Sequence, residues 1–467
     1  MNRGKPLLLI PVENQVRELD PKLLLACIAA RRGFASVVGS RREMEFSIDS
    51  FPRSIYLSKS MTVRSLLFFR VASTFGHKIV TWDEEALVHL PSDIYYSRRL
   101  DPRAIQFVSN LFAWGEDNAD LWRTYPHLPD GIPVHITGNP RSDMLRPEMR
   151  TFYEEQILAI HRRYGNFILV NTNFNHVNAF GPDMNLFKPA LKPDSSPRFG
   201  RAARGMTLAY AEGLRDHKQA LFEDFQRLIP RLEKAFPEYI IIVRPHPTEN
   251  QNVYREIAAR CERVQVTNEG NVVPWLMATR ALIHNGCTTG VEAYLAGIPA
   301  ITYRSTVNDD YDNGFYRLSN SMSHQCFSFD ELRDMLQKVL NGELESADGD
   351  QRRRLIDRFL AAQSGPLACE RIVDVLETMT AGPGQTSPPD AFQKLKQVTV
   401  ARGLQLAKNI KAHLPGSHNR PEFQHHRYPR ISIDEIRSRL SRFQRLLGET
   451  GDLKVDTTQN QFFYITS

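Results

Sequence analysis

Long hydrophobic runs are absent from this chain of 467 residues. No stretch approaches the ~20 consecutive apolar residues that a membrane-spanning helix needs, so a polytopic membrane protein is not expected. The opening Met1-Asn2-Arg3-Gly4-Lys5 leads into one short apolar strand and then charge, which is not the pattern of a secretory signal. Cysteine is scarce and scattered. Cys27, Cys261, Cys287, Cys326 and Cys369 form no Cys-x-x-Cys pair and suggest neither a zinc site nor a disulfide framework. A reducing cytoplasm is the expected home. Recognisable nucleic-acid motifs are missing too. The net charge is +6, but the basic residues are spread over helical faces, so nucleic acid is not an expected partner.

What is present is enough apolar material, 42% of residues, for two or three domain cores. Short β-branched runs alternate with helical patterns from the start: Leu7 to Val12, Ala35 to Val38, Ile55 to Leu57, Lys78 to Trp82, Phe112 to Trp114 and Val134 to Thr137 read as strands. This alternation predicts a parallel, doubly wound sheet. A helix from about Pro147 to Tyr164 leads to a new strand, Phe167 to Asn171, and the same pattern resumes from Met206. The stretch Asn175 to Arg204 is rich in Pro, Asn, Asp and Ser and is long for a connection, so it is expected to be a functional loop or lid. We therefore expect a Rossmann-like N-terminal domain over 1–146, a second over 147–380, and a linker with a basic helical extension over 381–467. Helices are expected over Pro21 to Arg32, Phe329 to Leu340, Leu355 to Thr380, Phe392 to His413 and Ile433 to Leu447.

The richest segment runs from Ala281-Leu282-Ile283-His284 through Asn285-Gly286-Cys287-Thr288-Thr289-Gly290 to Glu292. It reads as a strand end, a small-residue loop and a helix opening at about Thr289. Such a loop lets backbone amides approach an anion, and a helix N-terminus adds roughly half a positive charge. Glu292, one turn on, is placed to accept hydrogen bonds from ribose hydroxyls. A second loop follows the buried-type run Tyr239 to Val243: Arg244-Pro245-His246-Pro247. Its prolines stiffen the turn and put Arg244 and His246 at the carboxyl edge of a strand, where open α/β sheets bind ligands. Arginine offers a fork for phosphate and histidine a donor for a phosphate oxygen. Asn171 and Asn173 close another strand of the same domain.

In the first domain Asp83-Glu84-Glu85 follows the strand ending at Trp82. A carboxylate at the carboxyl edge of a strand suits acid–base or nucleophilic work, so Asp83 and Glu84 are the catalytic candidates. A helix start that favours negative charge is the plainer explanation of the same acids. Glu13, Arg17 and Glu18 follow the first strand, and Asn139 and Arg141 follow the last; these are candidate sugar or acceptor contacts.

Together the Arg244-Pro245-His246-Pro247 turn, Thr288-Thr289-Gly290 with Glu292, Gly138-Asn139-Pro140-Arg141-Ser142-Asp143 and Asp83-Glu84-Glu85 resemble the bacterial surface-carbohydrate biosynthesis proteins. Those are GT-B-type proteins related in pattern to transferases of sialic acid and of 3-deoxy-octulosonic acid (Kdo) that use CMP-activated donors. The resemblance runs from about Pro6 to Arg304 and resumes after Arg430. It implies two Rossmann-like domains facing across a cleft and a cytidine nucleotide held by the His-Pro turn and the threonine loop. It further implies acid–base work by the acidic pair, a glycan or lipid-linked glycan acceptor, and peripheral contact with the inner face of the cytoplasmic membrane. No cofactor beyond the nucleotide sugar and no metal are expected, because CMP leaves as a single phosphate. The chain departs from the pattern at Glu85-Ala86, where the wider group often has glycine. A nucleotide-sugar 2-epimerase, a CDP-polyol phosphotransferase and a non-catalytic assembly protein are the alternatives.

Overall fold

The computed structural model describes residues 5–189, 198–312, 314–381, 403, 424–425, 427–449, 451–458 and 462–467. The expected linker after Ala381, the expected helix Phe392 to His413 and most of the His-rich stretch that follows lie outside the described residues. The chain divides into two compact units. One takes Met1–Leu87, Arg99–Phe152 and Asp357–Ser467, and the other Val88–Arg98 and Tyr153–Ile356. Both are parallel α/β sheets of Rossmann-like kind.

The first unit is built on β1 (Leu7–Val12), β2 (Ala35–Ser40), β3 (Ile55–Ser58), β4 (Lys78–Thr81), β5 (Val108–Ala113) and β6 (Val134–Ile136). In the second unit lie β7 (Phe167–Thr172), β8 (Ile240–Pro245), β9 (Val264–Val266), β10 (Ala281–His284), β11 (Ala300–Tyr303) and β12 (His324–Cys326). Near the C-terminus β13 (Lys454–Thr457) and β14 (Phe463–Thr466) form a hairpin. The first sheet is ordered β13-β14-β2-β1-β3-β4-β5-β6 and the second β12-β11-β10-β7-β8-β9. Each order reverses direction once, between β1 and β3 in the first sheet and between β7 and β10 in the second. At such a switch point the connecting helices leave to opposite faces and open a crevice at the strands' carboxyl ends.

Strand β7 shows why the sequence reads as it does. All six residues, Phe-Ile-Leu-Val-Asn-Thr, are buried, as a parallel strand covered on both faces requires. Ile168 and Val170 join Phe225, Leu228, Ile229 and Leu232 of the helix Leu208–Ala235, while Phe167 and Leu169 meet Tyr164, Trp275 and Leu276 on the opposite face. Each such side chain contributes about 1.5–3 kcal/mol of burial.

Three expectations need adjusting. The first helix begins at Gln15, well before Pro21, which sits inside it; the imide nitrogen forgoes one helical bond and the surrounding burial sustains the helix. The expected helix Leu355 to Thr380 is two helices, Asp350–Phe359 and Ala368–Ala381. Between them Gly365 has a φ of 68° and precedes Pro366, so the helix cannot continue. Helix Ala368–Ala381 packs on helix Gln15–Arg31 of the first unit. Its first amides, Ala368 and Cys369, donate to the buried Asp143 carboxylate at 2.8 and 2.9 Å. The C-terminal segment is also not wholly helical: β14 runs antiparallel to β2, with Phe463 opposite Val38, and covers that sheet edge.

The basic helix Ile433–Leu446 spends its arginines inside the first unit. Arg439 binds Asp20 at 2.6 Å, Arg437 donates to the Val455 carbonyl at 3.0 Å, and Arg442 lies over the Phe152 ring, which stacks on Phe443. Among the described residues no helix is long and apolar enough to cross a membrane.

Candidate functional site

In the first unit the β1/β3 switch point holds a network of charges. Glu13 follows β1 and Lys59 follows β3, and they meet at 3.1 Å. Glu18, 2% exposed, accepts from Lys22 at 2.7 Å, from Lys59 at 2.6 Å and from the Glu13 amide at 2.9 Å. Burial alone would raise its pKa; Lys22 and Lys59 outweigh burial and hold it well below the usual carboxylate range. Glu13 is likewise raised by burial and brought down to about 2 by Lys59, Arg41 and Arg427. Arg41 lies 3.1 Å from it and Arg427 contacts its other oxygen.

The acidic triplet is split by its surroundings. Asp83 is 1% exposed; it accepts both nitrogens of the Arg99 fork and the Glu85 amide, and its carbonyl takes the Trp114 indole at 2.7 Å. Glu84 is 4% exposed and accepts from the Trp82 indole at 3.0 Å, with Lys22 at 3.8 Å. Both acids that sequence singles out are therefore buried, and one Glu84 oxygen, Oε2, has no hydrogen-bond partner among the described residues. Glu85 is the one that reaches solvent, with a half-exposed side chain 3.3 Å from Arg17. Crowding raises its pKa, and Arg17, Arg99, Lys59 and Arg141 lower it overall to about 2. Arg141 lies over the Trp114 ring, while the Asn139 side chain caps the helix Pro140–Asp143 by accepting from the Arg141 amide. That cap is a structural task.

In the second unit the β7/β10 switch point gathers most of the remaining candidates. Asn171 pairs in register with His284 across β7 and β10 and with Arg244 across β8. Just beyond, the Asn285 amide side chain bridges the two strand ends: its oxygen accepts from the Asn173 amide at 2.9 Å and its nitrogen donates to the Asn173 carbonyl at 3.3 Å. The side-chain oxygens of Asn171 and Asn173 are buried without a hydrogen-bond partner among the described residues, in residues only 3% and 7% exposed. Leaving a buried acceptor unmet costs about 1–3 kcal/mol, which marks a place where a donor is missing.

The loop after β10 is held by a residue that sequence reading left without a role. His284 is fully buried; its Nδ1 accepts from the Gly286 amide at 3.0 Å, so Nε2 carries the proton toward Ser323 Oγ at 2.8 Å. Burial, then Arg304, lowers its pKa to about 3. Gly286 turns with a φ of 84°, and a Cβ on Gly290 would lie 2.5 Å from His284 Nε2. The following helix, Thr289–Leu295, is only 7 residues long, so its dipole is small. The amides of Cys287 and Thr288 find no acceptor among the described residues. Burial pushes the Cys287 thiol up, which keeps it protonated. Glu292, 8% exposed, lies in the helix's first turn.

The Arg-Pro-His-Pro turn divides its tasks. Arg244 is 8% exposed and donates to the carbonyls of Glu269 at 2.9 Å and Gly270 at 2.5 Å, so two of its five N–H donors hold the β9 loop. Burial lowers its pKa to about 10. His246 Nδ1 accepts from the Thr248 amide at 3.3 Å and meets Thr248 Oγ1 at 2.8 Å; its proton therefore sits on Nε2, a donor. Pro247 is exposed. The turn is anchored by Glu249, 1% exposed, which sequence reading passed over. Its carboxylate accepts from the His246 amide at 3.1 Å, Thr172 Oγ1 at 3.0 Å and the Tyr254 hydroxyl at 2.6 Å. Burial raises its pKa. The sequence also contains Asp310-Tyr311-Asp312 and Asp348-Gly349-Asp350, the spacing of an Asp-x-Asp metal motif. Asp312 is taken up by Lys218, His217 and Arg304, and Asp348 and Asp350 by Arg353.

No family model matches the chain, and no curated protein sequence matches it. Solved structures do. The UDP-GlcNAc 2-epimerase of Methanocaldococcus jannaschii is 12% identical, covering 80% of this chain and 99% of its own, with a TM-score of 0.46. The UDP-GlcNAc 2-epimerase of Neisseria meningitidis bound to UDP-GlcNAc is 12% identical, covering 81% and 100%, with a TM-score of 0.45. The wall teichoic acid polymerase TagF is 11% identical, covering 80% and 88%, with a TM-score of 0.44. Likenesses at this level assign no family.

Proposed function

We propose that the chain is a glycosyltransferase of surface polysaccharide synthesis that takes its sugar from a nucleotide-linked donor and passes it to a glycan or lipid-linked acceptor. The observation that carries this reading is the pair of buried, unpartnered amide oxygens of Asn171 and Asn173 at the second unit's switch point. Sugar hydroxyls and an exocyclic base amino group are the donors such oxygens accept from. Cytosine carries that amino group where uracil carries a carbonyl, so a CMP-linked donor is favoured over a UDP-linked one. The amides of Cys287 and Thr288 and the Nε2 proton of His246 supply donors for the phosphate. No further cofactor is proposed.

The carboxylate chemistry is assigned to the first unit, and there to Glu85, the accessible acid of the triplet. A pKa of about 2 makes it a weak proton acceptor at neutral pH. It suits a fixed anion that stabilises positive charge developing on the sugar, or a nucleophile. The test is a thermal-shift panel of CMP, CDP, UDP and GDP, since a ligand that binds only the folded chain raises its midpoint. A rise with the cytidine nucleotides supports the reading. A rise with UDP or UDP-sugars alone turns it toward epimerase chemistry, a response to CDP-polyols with transfer of the polyol phosphate toward the phosphotransferase, and no response to any nucleotide toward a non-catalytic protein.

A further inference from the structure

Behind the second unit's two loops lies a buried cluster that the proposed nucleotide site does not use. The helix Leu208–Ala235 turns His217 and Lys218 inward, where they are 6% and 1% exposed. Lys218 Nζ stands 3.3 Å from the centroid of the Tyr316 ring and 3.5 Å from Asp312 Oδ1. The same carboxylate serves His217 Nε2 at 3.1 Å and Arg304 at 2.9 Å. Arg98 adds another cation. Its Nε donates to the Arg204 carbonyl at 2.7 Å and its Nη2 to the Ala202 carbonyl, and no carboxylate lies within ion-pair distance of it among the described residues. Lys218 and Arg304 thus share a single acid, Asp312, and Arg98 has no acid of its own. An interior normally avoids such a surplus, because a buried charge without a counter-charge costs several kcal/mol. Leucine or methionine at position 218 would pack the helix at less cost.

Position gives the surplus a meaning. Tyr316 backs the Gly286 turn so closely that a Cβ on that glycine would lie 3.0 Å from the ring. Its hydroxyl lies 3.0 Å from His176 Nδ1; burial pushes the phenol's pKa up, so it keeps a proton to donate to Nδ1, the arrangement that puts the His176 proton on Nε2. The neighbouring Asn175 amide reaches Thr248 Oγ1 at 3.5 Å, the hydroxyl that also meets His246. His176 and Arg98 are partly exposed, whereas Tyr316 and Lys218 are sealed beneath them. Burial, then Lys218, Arg98 and His246, depress His176 to about 3, so at neutral pH it is an uncharged donor above a cationic floor.

We propose that His176 and Arg98, with Tyr316 orienting the imidazole and Lys218 supplying charge from below, form a second oxyanion subsite beside the nucleotide position. It would receive an anionic group of the ligand beyond the nucleotide's own first phosphate, either a second phosphate or a carboxylate on the transferred sugar. The inference rests on the nucleotide reading of the second unit and names a further part of its ligand. Both sources present the same chemistry, an oxyanion that accepts from His176 Nε2 and a guanidinium, and the probes below separate them.

The experiment titrates the full chain calorimetrically with CMP, with CDP, which adds a phosphate, and with CMP-N-acetylneuraminate, which adds a carboxylate. At least one of the latter two is expected to bind roughly tenfold or more tighter than CMP, the scale of one charged hydrogen bond. Which one does so identifies the source. Lys218→Met and His176→Gln should each bring that ratio close to one; His176 is partly exposed, so its variant keeps the test open if Lys218→Met does not fold. Equal binding of all three ligands, or a gain that survives both substitutions, overturns the subsite. If no nucleotide binds at all, the nucleotide reading fails by itself. The subsite is then judged with inorganic pyrophosphate, which should raise the unfolding midpoint of the unsubstituted chain more than that of either variant; equal shifts, or none, overturn it.

Discussion

At the β1/β3 switch point of the first unit, Glu13, Glu18, Lys22 and Lys59 neutralise one another at 2.6 to 3.1 Å. At the β7/β10 switch point of the second unit, the polar atoms at the strand ends are amides, two of whose oxygens lack partners, and the nearby buried cations outnumber their one acid. The two sheets share strand order logic and differ in what fills the crevice. A charge set that closes on itself holds a fold together and leaves little for a ligand. A set left open leaves groups for a ligand to complete, which is why we propose the nucleotide site in the second unit.

Four substitutions or conditions break or sharpen that contrast. The largest effect is expected from Glu18→Gln, which strands Lys22 and Lys59 with a weakened partner. Unfolding in urea should show a loss of about 3–5 kcal/mol, the cost of breaking a buried ion pair. A loss below about 1 kcal/mol would show that the network is not closed. Next comes Glu85→Gln, expected to lower turnover about a hundredfold on the correct donor and acceptor with nucleotide affinity nearly constant. Asp83→Asn and Glu84→Gln should act mainly on stability; the reverse pattern would return the chemistry to the enclosed acids.

Acid should weaken the second unit most, although burial also depresses His77 and His135 of the first. His176 and His284 have folded pKa values near 3 against an ordinary 6.5. Below 6.5 the unfolded chain binds protons that the folded chain refuses, so the second unit loses stability as pH falls from 6.5 toward 3. Glu13, at about 2 against an ordinary 4.5, and Glu18, depressed in the same direction, contribute stability above 4.5 that is lost as pH falls toward 2. Hydrogen exchange between pH 7 and 5 should therefore loosen β7 and β10 before β1 and β3. Simultaneous loosening would remove the histidines as the cause. The smallest stability effect is expected from Asn171→Leu. Deleting an acceptor that has no partner should change unfolding stability by less than about 1 kcal/mol while abolishing the response to CMP. A large loss of stability with binding intact would mean the amide serves the fold.

Much of this was legible in the sequence. The apolar runs at Leu7, Phe167 and Ala281 announce buried parallel strands, and Gly286 and Gly290 mark the tight turn at which Asn285 meets Asn173. Gly365-Pro366 carries the signal that divides the helix expected over Leu355 to Thr380. Other features depend on partners far away in the chain. The sequence does not show that Arg99 and Trp114 close on Asp83, or that the Glu269 and Gly270 carbonyls take two of Arg244's donors. Lys218, inside an amphipathic helix, and Glu249, in a polar turn, gain their meaning only when Asp312, Tyr316, Thr172 and Tyr254 are brought beside them. Strand β14 is short and partly polar, and only its pairing with β2 makes it part of the first sheet.

The central claim is that the second unit's sheet edge binds a cytidine nucleotide through its His-Pro turn and threonine loop. Calorimetric titration of CMP into the full chain and into His246→Ala tests it most directly. The account predicts saturable binding to the unsubstituted chain, weakened in the variant by about 1–3 kcal/mol, the worth of one hydrogen bond to a charged group. Equal affinity in the two proteins, or no CMP binding to either, would contradict it.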